Sequence, residues 1–543
     1  MIRTHSQQQL TLPEFDTPFE TALDKNNRWV KMANIIPWDE LAVGYYSSFS
    51  TTQGRPAKDA RVVIGAVIIK HKLCLSDEET VEQVAENPYL QYFAGLPGFQ
   101  TKAPFVPSLF VEIRRRMGQE VFEVFHQAII NSIKEKRGKA TVWQQDQDND
   151  QNPSSGTPVA KEHVEQPDEE SVAVTPPRAP ENRGKLILDT TVAEQAIRYP
   201  TDLSLLNEAR ELTEKIIDAL HAKSSEKKKP RTYRQKARKA YLAIVKQRKP
   251  GTKALRRGIR QQLQYLRRNL NHIERQLQAY PEGAPIPLPR WLLHRYWVIQ
   301  HLYQQQREMY RTNTRRCDHR IVSISQPHVR PIIRGKLNKN VEFGAKLSAS
   351  LTEDGIARVD QIRWEAFNEG NDLEAQVEVY RERYGHYPEA VLGDPVYGNR
   401  ENRKYLSKHQ IRFAGKPLGR PKKVTEENRE ELKRLKKQRH QEYCQRIPIE
   451  GKFGQGKNGY NLNYIRAKTA RTSEAWINSI FLVMNLLILM RVFFGLCKSR
   501  AVALFYGRRY GCPIVRVLPA KNHSEVWRKF SGGSLEGWSV LSF

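Results

Sequence analysis

The sequence is poor in the features that would mark a secreted, metal-stapled or membrane-spanning protein. Cysteine is scarce, with five in 543 residues: Cys74, Cys317, Cys444, Cys497 and Cys512. They form no CxxC pair and do not cluster with histidine, which argues against a zinc site and a disulfide framework and points to a reducing compartment. The opening MIRTHSQQQLTLPEF lacks the apolar core of a signal peptide. Long apolar runs are missing too. The nearest approach, residues 477–496, contains Asn485 and Arg491, whereas a bilayer crossing takes about 20 apolar residues in a row. A buried core helix is the expectation there, with no membrane partner. A GKS/T loop for a nucleotide is absent, so no nucleotide cofactor is expected, and RNA-module signatures are absent as well.

Acidic residues are in short supply. Against 59 Asp and Glu stand 89 Lys and Arg, a formal net charge of +30. Such an excess implies a polyanionic partner, nucleic acid first and an anionic membrane second. The length suffices for about two to four domains and a sizeable core.

Residues 1–139 read as an all-α domain. Ser76 with Glu79 is a capping box that starts a helix at Asp77, and Asn87-Pro88 closes it. An apolar helix precedes it over 59–73, and amphipathic helices carrying Arg114, Arg115 and Arg116 follow Pro107. Short helices with basic faces suit helix-turn-helix DNA binding and a dimerisation bundle equally well. Residues 140–183 change character, with nine acidic and three basic residues among Gln, Asn, Pro and Ser. Composition of that kind does not offset ordering entropy, so a disordered acidic linker is expected.

KLILDTTV (185–192) reads as a buried strand ending at Asp189, and Asp202 as the cap of the helix that follows. Between 221 and 280 stand nineteen Lys/Arg and two acidic residues, with Leu255, Ile259, Leu263, Leu266, Leu270, Ile273 and Leu277 at helical spacing. This basic helical insertion, taken as 205–320, is either a solvated hairpin or a clamp on a phosphate backbone. Two strand-like runs flank the turn 352–355, a hairpin signal. A helix is expected over 372–383, then a short strand over 389–394 ending in Asp394. Gly419-Arg420-Pro421 with Lys422 and Lys423 has the form of an extended arm for a narrow A·T minor groove. No motif is readable in the tail, 501–543.

The stretch YCQRIPIEGKFGQGK (443–457) places Glu450 among Tyr443, Arg446 and Lys457. On a helix these four side chains fall within roughly 60° of one another and line one stripe. Pro448 and the glycines 451, 454, 456 and 459 disfavour a helix interior, so the helix is either kinked or begins near Pro448.

The spacing Y-(2)-R-(3)-E-(6)-K resembles the signature of a large group of bacterial insertion-sequence DDE transposases. Similar segments recur elsewhere: SDEE (76–79) and NPYLQYFAGL (87–96) in the N-terminal part, KLILDTTV, RYPTDLSLLNEAR (198–210), and Asp394-Pro395-Val396-Tyr397-Gly398. Val396 departs from the glycine that many members have before the tyrosine. The resemblance implies an RNase H-like α/β catalytic domain over 184–500, with the all-α domain binding the element's ends. Asp189, Asp394 and Glu450 would be catalytic carboxylates holding two Mg²⁺ ions, or Mn²⁺, because hard oxygen ligands suit them. Tyr443, Arg446 and Lys457 would meet DNA, joined by Arg420, Lys422 and Lys423. It further implies inverted-repeat ends and target DNA as double-stranded partners, a homodimer in the synaptic complex, and a cytoplasmic, nucleoid-associated location. Charge and carboxylates alone imply only a metal-dependent DNA-processing enzyme. The alternative is a catalytically inactive, sequence-specific DNA-binding protein derived from a transposase.

Overall fold

The computed structural model describes residues 17, 22–50, 56–149, 181–224, 228–279, 285–333, 341–419, 425–426 and 428–510, of which 137–149 and 495–510 by backbone alone. Most of the acidic linker, the arm residues Arg420, Lys422 and Lys423, and the tail beyond Tyr510 lie outside them. Two compact units are formed, one by Met1–Glu135 with Pro153–Leu489 and one by Lys136–Asn152 with Met490–Phe543.

The described chain opens with helices α1 (Arg28–Ala33), α2 (Trp38–Tyr46), α3 (Ala60–Leu73), α4 (Asp77–Glu86), α5 (Pro88–Phe93), α6 (Leu109–Arg116) and α7 (Gln119–Asn149). Both halves of the Ser76/Glu79 capping box are made, and α4 starts and stops where the sequence indicates. Trp29 and Trp38 meet Phe93 edge-on in the core. Helix α7 runs ten residues into the stretch read as linker, so the composition change at 140 does not mark its end.

Among the described residues one six-stranded sheet follows, built from β1 (Lys185–Glu194), β2 (Arg330–Ile333), β3 (Val341–Thr352), β4 (Ala357–Arg363), β5 (Ala390–Leu392) and β6 (Arg412–Ala414). Its order is β2-β3-β1-β5-β6, with β4 also on β3. Strand β1 is central, antiparallel to β3 and parallel to β5, and β5 is parallel to β6. The β3–β4 hairpin turns where the sequence indicated, and Gly355 takes φ +80°, open to glycine at no steric cost. Asp189 does not end its strand. β1 continues to Glu194 because the β-branched Thr190, Thr191 and Val192 keep pairing with Ser348, Leu347 and Lys346 of β3.

Between β1 and β2 the chain leaves the sheet to build a helical module: α8 (Asp202–His221), α9 (Arg234–Val245), α10 (Thr252–Gln278) and α11 (Arg290–Thr312). Leu205, Leu206, Ala209 and Leu212 of α8 bury against Leu263 and Leu266 of α10 and Val298, Ile299 and Leu302 of α11. The leucine stripe of α10 is thus the core of a bundle and its arginines form the outer face. Asp202 is not the cap of α8. Thr201 caps it, in a box with Ser204, and Asp202 stands one residue inside, bonded to Arg320 (2.6 Å) and Gln306 (2.8 Å).

Alternation along β1 sends Leu186 and Leu188 to one face, where α12 (Leu373–Tyr384) and α13 (Arg400–Lys408) cover them with Leu373, Val377, Tyr380 and Leu406. Ile187 and Asp189 therefore face the other way, toward α14 (Arg429–Gly459). Helix α15 (Ala470–Tyr510) contains the apolar run. It is long and apolar enough to cross a membrane by composition, yet 67% of its most apolar window is buried in the protein, as expected of a core helix.

Ionic contacts join the first seven helices to the sheet and α15. Asp77 accepts from Lys70 (2.9 Å) and from both ends of the Arg114 guanidinium (2.9 and 2.7 Å). Lys70 and Arg114 lie over the ring of Trp476 in α15, at 4.5 and 5.2 Å. Glu123 of α7 pairs with Arg358 of β4 and Arg383 of α12.

Candidate active site: three carboxylates on one guanidinium

Three elements deliver the site. The central strand presents Asp189, whose Oδ1 accepts the backbone N–H of Thr190 at 2.7 Å and whose Oδ2 is left to face α14. Strand β5 ends at Leu392, and Asp394 stands just beyond it, heading the 3₁₀ turn 395–398. That turn is fixed by Tyr397, whose N–H donates to Asp394 O at 3.0 Å and whose ring is fully buried. The exposed Val396 projects away, so the departure from glycine is accommodated.

Helix α14 brings the rest. It is one 31-residue helix with Pro448 inside it, so the helix does not begin there. Proline removes one helical hydrogen bond and costs about 3 kcal/mol in an isolated helix. Burial of Ile449 and Phe453 and the ion pair from Glu442 to Arg412 of β6 hold the segment against the sheet. Gly456 packs closely, since a Cβ there would stand 3.0 Å from the Leu462 side chain, which would have to give way. The stripe expected from the sequence therefore exists on a continuous helix.

Arg446 is the centre of this geometry. Its Nη1 lies 2.6 Å from Asp394 Oδ1 and 3.6 Å from Asp189 Oδ2, and its Nη2 donates to Glu450 Oε1 at 2.8 Å. One guanidinium thus touches carboxylates from three separate segments. It rests over the ring of Tyr443, 5.7 Å from the centroid. Arg446 and Asp189 are 13% and 14% exposed, Asp394 and Glu450 41% and 48%, so the cluster is closed on its strand side and open on the other. Burial raises the Asp189 carboxyl to about 6, with Asp394 and Glu450 adding to the rise and the Thr190 N–H and Arg446 opposing it. With the guanidinium among them the three carboxylates do not enclose an ion as they lie, and no trio of His, Cys, Asp or Glu among the described residues does. Lys457 is half-buried about two turns beyond Glu450.

Sequence reading missed a further carboxylate, which lies across β1 from this cluster, on the face that Thr190 shares with Leu188. Glu369 accepts from Thr190 Oγ1 at 3.4 Å and pairs with Lys346, which also donates to Phe367 O at 2.7 Å. Lys346 sits opposite Val192 in the β3 register and is nearly buried. A lone lysine within a strand was the signal available for it.

Comparison with known proteins places the same segments in a family. Residues 391–487, which carry Asp394, Arg446 and Glu450, match the family described as transposase DDE domain, and residues 17–116 match the transposase domain DUF772. A protein of Rhizobium meliloti described as uncharacterized protein ORF8 in the nfe locus is 28% identical over 201 residues, covering 36% of this chain and 76% of its own. No solved structure gives a significant match. Two stretches of the chain, one over its first helices and one from β5 into α15, are thus similar to transposase domains, the second of the DDE type.

Proposed function

We propose that the chain is a DNA transposase that cleaves the ends of an insertion sequence and joins the freed 3′-hydroxyl to target DNA. The observation that carries this reading is the convergence of Asp189, Asp394 and Glu450 on one point, in a chain of formal net charge +30. Support for an RNase H-like catalytic domain comes from the sheet. Its central strand carries the first carboxylate, with an antiparallel neighbour on one side and parallel ones on the other.

The donor set is carboxylate oxygen throughout, the ligand chemistry that hard divalent ions take, once the guanidinium is no longer among them. Asp189, Asp394 and Glu450 would hold two of them, Mg²⁺ or Mn²⁺. When bound, such a pair supplies a nucleophile activated near neutral pH and charge stabilisation at the leaving oxygen. The chain's own part is positioning. Lys457 serves as a point charge for a backbone phosphate, Arg446 as a fork, and Tyr443 as a flat apolar surface beside them. The basic outer face of α9 and α10 adds affinity without sequence preference. The first helices bind the inverted-repeat ends, and two copies bring both ends together. Arg420, Lys422 and Lys423 belong to this reading as a minor-groove arm, and the nucleoid is where such a protein works.

The test separates binding from cutting. A duplex containing the inverted repeat that flanks the gene is bound in Ca²⁺ by gel shift, then offered Mg²⁺. Asp394→Asn and Glu450→Gln should bind as the wild type does and cut nothing. Cutting by either variant at the wild-type rate overturns the assignment.

A further inference from the structure

The sequence assigns Arg446 to phosphate, whereas in the fold it serves the carboxylates. A guanidinium has five N–H donors in a fixed fork and stays charged at any working pH. Here the fork is spent on Asp394, Asp189 and Glu450 together. The oxygens it occupies are the ones a divalent ion needs. Thr190 already takes Asp189 Oδ1, so Oδ2, the oxygen turned to Arg446, is the one left to an ion.

We infer that Arg446 is an internal cation that gathers the three carboxylates and competes with divalent metal for them, moving to phosphate as metal enters. This rests on the metal-dependent reading of the site. Two features make the exchange feasible. Three carboxylates this close repel one another, and a fixed cation among them lowers that repulsion, so the site stays assembled without stored strain. The side of the cluster formed by Asp394 and Glu450 is open, and the Tyr443 ring beneath the guanidinium is 57% exposed. The side chain can therefore swing outward on its methylene stem without unpacking the core, and its charge remains beside the same reaction centre.

Competition of this kind has a signature in metal binding that needs no catalysis. Mn²⁺ titration of the full-length protein, followed by calorimetry and by loss of the free-ion electron paramagnetic resonance signal, compares wild type with Arg446→Gln, Arg446→Lys and Asp189→Asn. Arg446→Gln is shorter and neutral and should bind Mn²⁺ about tenfold tighter, because the ion no longer displaces a charge-assisted contact. Arg446→Lys keeps one charge without the fork and should fall between it and the wild type. In the chelator EDTA both should melt earlier than wild type, and Mn²⁺ should raise their melting temperature by more. Equal or weaker Mn²⁺ affinity in Arg446→Gln, with wild-type binding still abolished by Asp189→Asn, overturns the competition and leaves the site's metal-dependent reading standing. Wild-type Mn²⁺ binding that Asp189→Asn leaves untouched overturns both. If Arg446→Gln does not fold, Arg446→Lys decides: tighter binding supports the exchange, and equal or weaker binding overturns it.

Discussion

Asn485 closes both backbone groups of Ala357: its Nδ2 donates to Ala357 O at 2.7 Å, and Ala357 N–H donates to its Oδ1 at 3.0 Å. The amide thus mimics a strand partner at the start of β4, from inside an otherwise apolar core helix. His126 Nδ1, 3.1 Å from the same Nδ2, brings α7 into the arrangement. Asn485→Leu keeps the volume and strands two buried backbone groups, at about 1 to 3 kcal/mol each. Urea unfolding should show an unfolding free energy lower by that sum, and a change under about 0.5 kcal/mol, the size expected of a surface substitution, would mean that water replaces the amide.

The histidine gives the contact a pH dependence. Burial, helped by Arg358 and Arg383, depresses His126 to about 3 in the fold, against about 6.5 in an unfolded chain. A neutral imidazole is the form that accepts from Asn485. The unfolded chain takes up the proton first, so this contribution is intact above about pH 6.5 and is lost at about 1.4 kcal/mol per unit as pH falls from there towards 3. Denaturation at pH 7 and pH 5 measures it, and His126→Gln should flatten the difference. His71, buried and depressed as well by burial and the neighbouring Lys70, leaves a residual slope of the same sign.

Lys457 and Tyr443 separate charge from surface. Lys457→Ala should weaken both end binding and cutting, by about 1 kcal/mol or more at low salt. Tyr443→Phe keeps the ring under Arg446 and should lose little, whereas Tyr443→Ala removes a cation–π contact of about 0.5 to 1 kcal/mol at an exposed site. Gel shift and cleavage on one duplex give both numbers, and equal losses for Phe and Ala would assign the role to the hydroxyl instead.

The helical module predicts a salt dependence. Replacing Arg257, Arg260 and Arg267 on α10 by Gln should lower the slope of log affinity against log salt by about 0.9 for each phosphate no longer neutralised. The Leu263 and Leu266 core is untouched by these changes, so the melting temperature should hold. An unchanged slope shows the arginines to be solvated.

The acidic linker is testable by deletion. Removing residues 151–174 should leave folding and cleavage nearly intact, since low-hydrophobicity sequence contributes little burial, and a collapsed thermal transition would contradict its role as a tether.

What the sequence made legible was local. Ser76 and Glu79 are three residues apart and cap their own helix, and the β3–β4 hairpin announces itself by alternation around a glycine turn. The stripe of Tyr443, Arg446 and Glu450 follows from helical period alone. Contacts made across long separations were not legible. The pairing of Arg446 with Asp189 and Asp394 depends on where the sheet sets α14, and spacing within one helix carries no trace of it. The same holds for Lys346 with Glu369, and for Lys70 and Arg114, which look like surface cations and are buried against Asp77 and Trp476. Pro448 left two outcomes open, a kink or a helix start, and the helix does not start there, because the signal is local and the burial of Ile449 and Phe453 that carries the helix across it is tertiary. Asp202 lost the cap to Thr201, another oxygen-bearing capping residue one place earlier.

The helical module inserted after β1 also sets a clock. Thr191 pairs with Leu347 and Leu186 with Val391, so the strand that carries Asp189 leaves the ribosome well before either neighbour. At about 5 to 20 residues per second, the gap of roughly 150 residues to β3 lasts about 7 to 30 seconds. During that interval α8 to α11 can close their own core, while β1 waits with both edges open. A nascent chain interrupted in this window has a closed basic bundle and none of the carboxylates brought together.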